Sequence, residues 1–404
     1  MAFANRATAQ SVTLENCIAR ALERAPMMRA AASDVRGAQA QVREALAAYS
    51  PRLLAHAEYG RSEGYDESVT NGGSTAAVLT AQAMLLDGGH RDAQVQAARE
   101  RLISATERQR QQRADTAQTI RALYVQALAA RSEEQIQAQS MDILRSAVDL
   151  LQRQKTLGLV PENDVLRAEL GVEAAGSERN SAAAALATAV AQLELLSDLK
   201  IKAQALSDPT NVLPLEVDDQ NVDNSPAVTD ARAMLAAARQ DVEVARSERR
   251  PQVTLDASGG ALGVRPQETF RDDAGGQFLV GVSFPVFDGG ANAARVAGAA
   301  ATADRAEAEV VQARQSVALG LRTLRIEAER AAAEGAIWQR SLPAAEDNLT
   351  LMRARYFGGG NVRLLEVLDA LTQVVTAQLG IAHSRLAFQL AVGAQKQLIG
   401  ESLP

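Results

Sequence analysis

Leu86-Asp87-Gly88-Gly89 recurs about 200 residues later as Phe287-Asp288-Gly289-Gly290. Other landmarks repeat in the same order at nearly the same offset. Ala25-Pro26 returns as Ser225-Pro226, and Ser50-Pro51 as Arg250-Pro251. Gly158, ahead of Asp164-Val165-Leu166, returns as Gly360 ahead of Glu366-Val367-Leu368. Solenoid units run to about 50 residues, far short of this period. The chain is therefore one supersecondary unit, duplicated and fused.

Hydrophobic period places the elements around these landmarks. Leu53, Ala55, Ala57 and Tyr59 alternate with Leu54, His56 and Glu58, and Leu79, Ala81, Ala83 and Leu85 alternate with Thr80, Gln82 and Met84. Alternation predicts strands with one apolar face, near 52–60 and 77–87. Val253, Leu255 and Ala257, then Phe278, Val280, Val282 and Phe284, predict their counterparts near 252–260 and 277–287. Asp87-Gly88-Gly89 and Asp288-Gly289-Gly290 are expected to be strand-to-helix turns.

Thr13 to about Tyr49 is expected as a single helix, capped by Thr13 and ended by Pro51. From His90 to Thr156 there is no proline and no glycine. Such a helix would be roughly 100 Å long. Ile136, Ile143, Leu150 and Leu157 recur every seven residues with Ser140 and Ala147 between, the pattern of a coiled-coil seam. Trp338, Ala345 and Met352 hold the matching places in the second half. The expected layout is a residual signal or disordered start over 1–11 and a first repeat over 12–199 with a helical hairpin at 90–199. A linker over 200–225 and a second repeat over 226–404 with a hairpin at 290–400 follow.

Composition narrows the function classes. The chain has 404 residues, 3% aromatic, with a net charge of -7. Few aromatics suit long helices on thin seams, and the negative balance argues against nucleic acid as a partner. No window has about 18 consecutive apolar residues, so a membrane role would have to use strands. Cys17 is the single cysteine, which excludes an intrachain disulfide; it is expected half-buried on a helix. Ala7-Thr8-Ala9 resembles the end of a secretory signal, although no apolar run precedes it. His56, His90 and His383 lack metal-ligand spacing, and no Gly-x-Ser-x-Gly elbow or phosphate loop occurs. No metal, cofactor or enzymatic activity is expected.

The strands suit a barrel wall in an outer membrane. The alternative is a small sheet on a soluble domain. Four strands cannot close a barrel, and open edges in lipid cost several kcal/mol per unsatisfied group. Several copies would have to pool their strands.

With these landmarks the chain resembles the TolC family of outer-membrane factors. The resemblance runs from Thr13-Leu14 to the last helix and includes Gly158-Leu159-Val160 and Glu366-Val367-Leu368-Asp369. It implies a mainly α fold with membrane β. Three copies would form a homotrimer with a twelve-stranded barrel in the outer membrane of a Gram-negative bacterium, continuous with a twelve-helix periplasmic tunnel. The implied function is a passive exit duct of a tripartite efflux pump or a type I secretion system. The implied partners are outer-membrane lipid, a periplasmic adaptor (membrane fusion) protein and, through it, an inner-membrane transporter.

The resemblance places the gate at Asn163, Asp164, Arg363, Glu366 and Asp369. Glu366 and Asp369 share a helix face, so a trimer would present six carboxylates around one axis, a cation-attracting ring. Adaptor docking falls on Leu157, Gly158, Leu159, Val160, Gly358, Gly359 and Gly360. The family's best-known version closes with a tyrosine and an arginine, where this chain has Phe357 and Val362. Arg363 is the nearby cation for Asp164 or Glu366. The competing reading from another class is a soluble coiled-coil scaffold.

Overall fold

The computed structural model describes residues 12–60, 74–208, 219–263, 274–358 and 362–401. They form two compact units. One comprises Met1–Ala31, Arg108–Val228 and Arg314–Pro404; the other Ala32–Glu107 and Thr229–Ala313.

The second unit holds the sheet. Its strands are β1 (Arg52–Gly60), β2 (Ser74–Leu86), β3 (Gln252–Gly263) and β4 (Ala274–Ser283), in spatial order β1-β2-β3-β4. All pairs are antiparallel. Leu53, Ala81, Ala257 and Phe278 form one row across the four strands. The adjacent row, Arg52, Gln82, Asp256 and Leu279, lies on the opposite face. The two-residue period has thus sorted the sheet into an apolar face and a largely polar one. The apolar face is uncovered: Leu53 is 71%, Phe278 84% and Val282 70% exposed. β4 ends at Ser283, so Phe284, expected within the strand, lies beyond it.

The chain enters the sheet through helices. Thr13 caps α1 (Leu14–Arg24) by accepting a hydrogen bond from the Asn16 N–H. The expected single helix is broken at Ala25, whose ψ is 131°, before α2 (Pro26–Ala47). Pro26 has no N–H and its ring keeps the preceding residue out of helical ψ, so it starts a helix rather than continuing one. In the second half α6 (Pro226–Ser247) also starts on proline.

The long helices are α3 (His90–Thr156), α4 (Glu162–Ser197), α7 (Ala291–Phe357) and α8 (Leu364–Leu398). Between the halves lie a 3-10 turn at Ala203–Ala205 and a short α5 (Asp219–Asp223). The helical unit has one core where Leu14, Cys17, Ile18 and Ala21 meet Ile120 and Tyr124 of α3 and Leu193 of α4. Cys17 is fully buried there, deeper than expected, because α1 turns its apolar stripe inward. Each such large side chain contributes about 1.5–3 kcal/mol on burial. The Tyr124 hydroxyl donates to backbone carbonyls at Val12 (2.8 Å) and Ser207 (2.7 Å), which ties the start of the chain to the linker.

A second core joins Met141 and Leu144 of α3 to Leu349 of α7 and Val367, Ala370, Leu371 and Val374 of α8. The expected seam is met in part: within the chain α3 buries its Ser140, together with Met141, Leu144 and Leu151, and Ile143 of the heptad Ile136, Ile143, Leu150 and Leu157 packs against this core beside Ala345 and Met352 of α7. Of that heptad, Leu150 and Leu157 are exposed and Ile136 and Ile143 half-covered. Among the described residues α8 alone is long and apolar enough to cross a membrane, with mean hydropathy 1.3, although charged and polar residues interrupt its apolar run. Its stripe belongs to this core.

Candidate gate and turn sites

The first hairpin reverses at Gly158, whose φ of 73° puts it in the left-handed region. The Leu159 N–H reaches back to the Gln154 carbonyl at 2.9 Å, closing the end of α3. Lys155 in the last turn of α3 and Glu162 in the first turn of α4 meet at 2.7 Å, each sign matching its helix terminus. The Lys155 ammonium holds the Glu162 carboxyl below its usual range through that hydrogen bond and its charge. Leu157 and Leu159 stand out from the turn, 72% and 68% exposed, and Val160 is half-covered.

Asp164 follows in the first turn of α4. It accepts a hydrogen bond from the Tyr356 hydroxyl of α7 at 3.0 Å. Burial and the adjacent carboxylate push the Tyr356 phenol up to about 12. The Phe357 ring stands edge-on to Tyr356, with centroids 5.1 Å apart. The hydroxyl that Phe357 lacks is therefore supplied one residue earlier. Sequence reasoning passed over it by holding the family's alignment fixed; a tyrosine next to a phenylalanine at the helix end was the available signal.

Arg363 caps α8 and its Nε lies 3.4 Å from Glu366 Oε1, within the helix's own first turn. Within the chain it does not meet Asp164. Val362 packs against the second core instead of presenting a charge. Glu366 and Asp369 fall outside the buried stripe of Val367, Ala370, Leu371 and Val374, with Asp369 exposed. Asn163 is exposed beside Asp164. Gly358 ends α7 with its N–H on the Ala354 carbonyl at 2.9 Å. Gly359 and Gly360 lie outside the described residues.

The two Asp-Gly-Gly turns share a backbone and differ in side chains. Gly88 and Gly289 have φ of 65° and 67°, and Gly89 and Gly290 both 90°. Asp87 accepts the Arg91 N–H at 2.8 Å, and Asp288 accepts the Asn292 N–H at 2.8 Å, so each aspartate caps a long helix. In the first turn Arg91 also pairs with Asp87 at 2.7 Å, donates to the Met84 carbonyl at 2.8 Å and lies over the Tyr49 ring. Burial opposes ionisation of Asp87, but the Arg91 backbone and guanidinium hydrogen bonds prevail and lower its pKa. In the second turn Asn292 donates to the Ala245 carbonyl at 2.7 Å. Among the described residues no group of His, Cys, Asp and Glu could hold a metal ion.

A sheet with an uncovered apolar face and paired helical hairpins define an outer-membrane channel architecture. Residues 17–197 and 219–401 match the outer membrane efflux protein family, and the chain belongs to that family. Its members are passive channels of the Gram-negative outer membrane, extending into the periplasm, and not enzymes. Protein CyaE of Bordetella pertussis is 28% identical over 309 residues, 73% of this chain and 64% of that protein. The chain thus spans less than two thirds of that relative's length. The fold is similar to that of CusC, with TM-score 0.87 and 20% identity over 96% of this chain and 91% of that one. The open state of the Neisseria gonorrhoeae MtrE outer membrane channel gives TM-score 0.86 and 19% identity over 96% of this chain and 89% of that one.

Proposed function

We propose that three copies of this chain form one outer-membrane exit duct, gated at its periplasmic end, for a tripartite efflux pump or type I secretion system. The carrying observation is the sheet: its apolar face is uncovered and β1 and β4 each leave one edge unpaired among the described residues. Lipid satisfies the face, and sister strands satisfy the edges. Each copy contributes two repeats, 12–199 and 226–404, joined through 200–225. Three copies pool twelve strands into a barrel and twelve helices into a tunnel. Exposed Leu166, Leu170 and Leu195 on α4 and Leu319, Ile326 and Ile337 on α7 support packing between copies.

The gate consists of Asp164 with Tyr356, and of Arg363 with Glu366, beside Asn163 and Asp369. Opening separates α4 from α7 at the first pair. The hairpin tips, Leu157 to Val160 and Gly358 to Gly360, receive a periplasmic adaptor that links the duct to an inner-membrane transporter. The Asp-Gly-Gly turns mark where barrel strands become tunnel helices.

Fractionation tests the assembly. A duct is recovered from the outer membrane as a detergent-extracted trimer that conducts in a planar bilayer; a monomer in plain buffer overturns it. For docking, Gly158→Leu is expected to abolish export while the trimer survives. Export at the normal rate with that variant removes the tip from the adaptor contact.

A further inference from the structure

A cavity of about 530 Å³ opens on the polar face of the sheet, where α3 begins. All of its walls belong to the unit that holds the sheet. Small-molecule sites run from about 300 to 1,000 Å³, so the size suits a ligand. Three of its side chains form one cross-strand row. Arg52 of β1 opposes Gln82 of β2, which opposes Asp256 of β3. Two strand spacings set Arg52 and Asp256 about 10 Å apart at Cα, with an amide between them.

The other titratable groups on the wall are already engaged. Arg91 pairs with Asp87 at 2.7 Å. His90 Nδ1 lies 2.9 Å from Ser247 Oγ, and its Nε2 lies 2.9 Å from Gln94 Nε2. Among the described residues the side chains of Arg52 and Asp256 make no hydrogen bond or ion pair. Asp256 is half-covered, so its carboxylate gives up hydration with no partner in exchange. The fold does not require the charge at Arg52 either. The second repeat sets Gln252 opposite Ser283 where the first sets Arg52 opposite Gln82. An amide serves at that place in the strand.

We infer that this cavity binds a short peptide with free termini. Arg52 takes the carboxylate, Asp256 the ammonium and Gln82 a backbone amide between them. A simple anion or cation would leave the opposite fixed charge unpaired, so the pair favours a zwitterion. An extended chain of three residues spans about 10 Å, the separation of the two strands that carry the charges. The site is complete within one copy. Only its place on the exit path, on the inner wall of a barrel, rests on the duct reading above.

Titration calorimetry of the full chain in detergent tests this, with trialanine as the probe. N-acetyl-trialanine and trialanine amide each lack one terminal charge and are expected to bind about tenfold more weakly. Arg52→Gln is expected to erase the preference for the free carboxylate and keep that for the free amine. Asp256→Asn is expected to do the reverse. This crossed pattern is one that a purely structural role for either residue would not give. No binding of trialanine, or equal binding of all three probes by the unmodified chain, overturns the site. So does loss of both preferences in a variant that unfolds at the normal temperature. A conducting trimer that ignores trialanine keeps the duct and loses the site. A chain that binds trialanine but does not conduct in a planar bilayer keeps the site and loses the duct.

Discussion

The hydroxyl of Tyr356 on α7 donates to Oδ2 of Asp164 on α4 at 3.0 Å, joining a helix of the second half to one of the first. A hydrogen bond to a carboxylate in a half-buried site contributes about 1.5 kcal/mol. Tyr356→Phe keeps the ring and its edge contact with Phe357 but removes the bond. Single-channel recording should show the open-to-closed ratio rise roughly tenfold for each subunit whose bond is lost. Asp164→Ala should do the same, and the double variant should add little. Unchanged conductance in all three removes the pair from the gate.

The same tyrosine sets an alkaline limit. Its phenol is raised from 10.0 to about 12. A group raised in the folded state contributes fully below its unfolded value and loses that contribution as pH climbs through the folded one. The closed state should hold to about pH 10 and weaken toward pH 12, a trend Tyr356→Phe abolishes. Recording conductance against pH for both proteins checks this.

Glu366 and Asp369 lie outside the buried stripe of α8, so replacing them leaves the core intact. Changing both to Ala should reduce cation selectivity, read as a shift of the reversal potential toward zero in a salt gradient. It should also relieve block by multivalent cations.

The two turn aspartates should differ in cost. Asp87 is buried with Arg91, and losing it strands a guanidinium as well as a cap. Asp87→Ala should destabilise the sheet unit by about 3 kcal/mol. Asp288→Ala removes only cap bonds to Gly290 and Asn292 and should cost clearly less. Because the Asp87 pKa is lowered, its contribution is present above the ordinary carboxyl value and lost as pH falls through the folded one. Denaturant unfolding of both variants at neutral and acid pH measures the difference.

Cys17 is fully buried against α3 and α4, and burial pushes its thiol up to about 11. The thiolate is the reactive form, so alkylation at pH 8 should be at least a hundredfold slower in the folded chain than in urea. Equal rates would mean that α1 is not docked.

Much of the fold was legible because the signals were local and duplicated. Alternation between Leu53 and Tyr59 and the glycines after Asp87 each determine backbone geometry on their own. The break at Ala25 was missed because the apolar stripe runs on through Leu22 and Val35 although Pro26 interrupts the hydrogen bonding. The seam of α3 was legible at Ser140 and Ile143 but not at Leu150 and Leu157, because a heptad shows that a stripe will be buried, not which neighbour buries it. Met141 and Leu144 meet α8 within the chain, while Leu150 and Leu157 stay exposed. At the proposed gate, Asp164 was singled out by the family resemblance. Its partner was not, because Tyr356 comes from a helix nearly 200 positions away.

Arg91 and Asn292 occupy matching places after turns of the same shape, yet one is a cation and the other an amide. In the proposed threefold ring of doubled subunits, chemistry at that level would alternate around the circumference. A single codon change therefore alters every other station and spares those between. Such a wall can be retuned in half-steps, with the unaltered stations holding the ring closed while the others change.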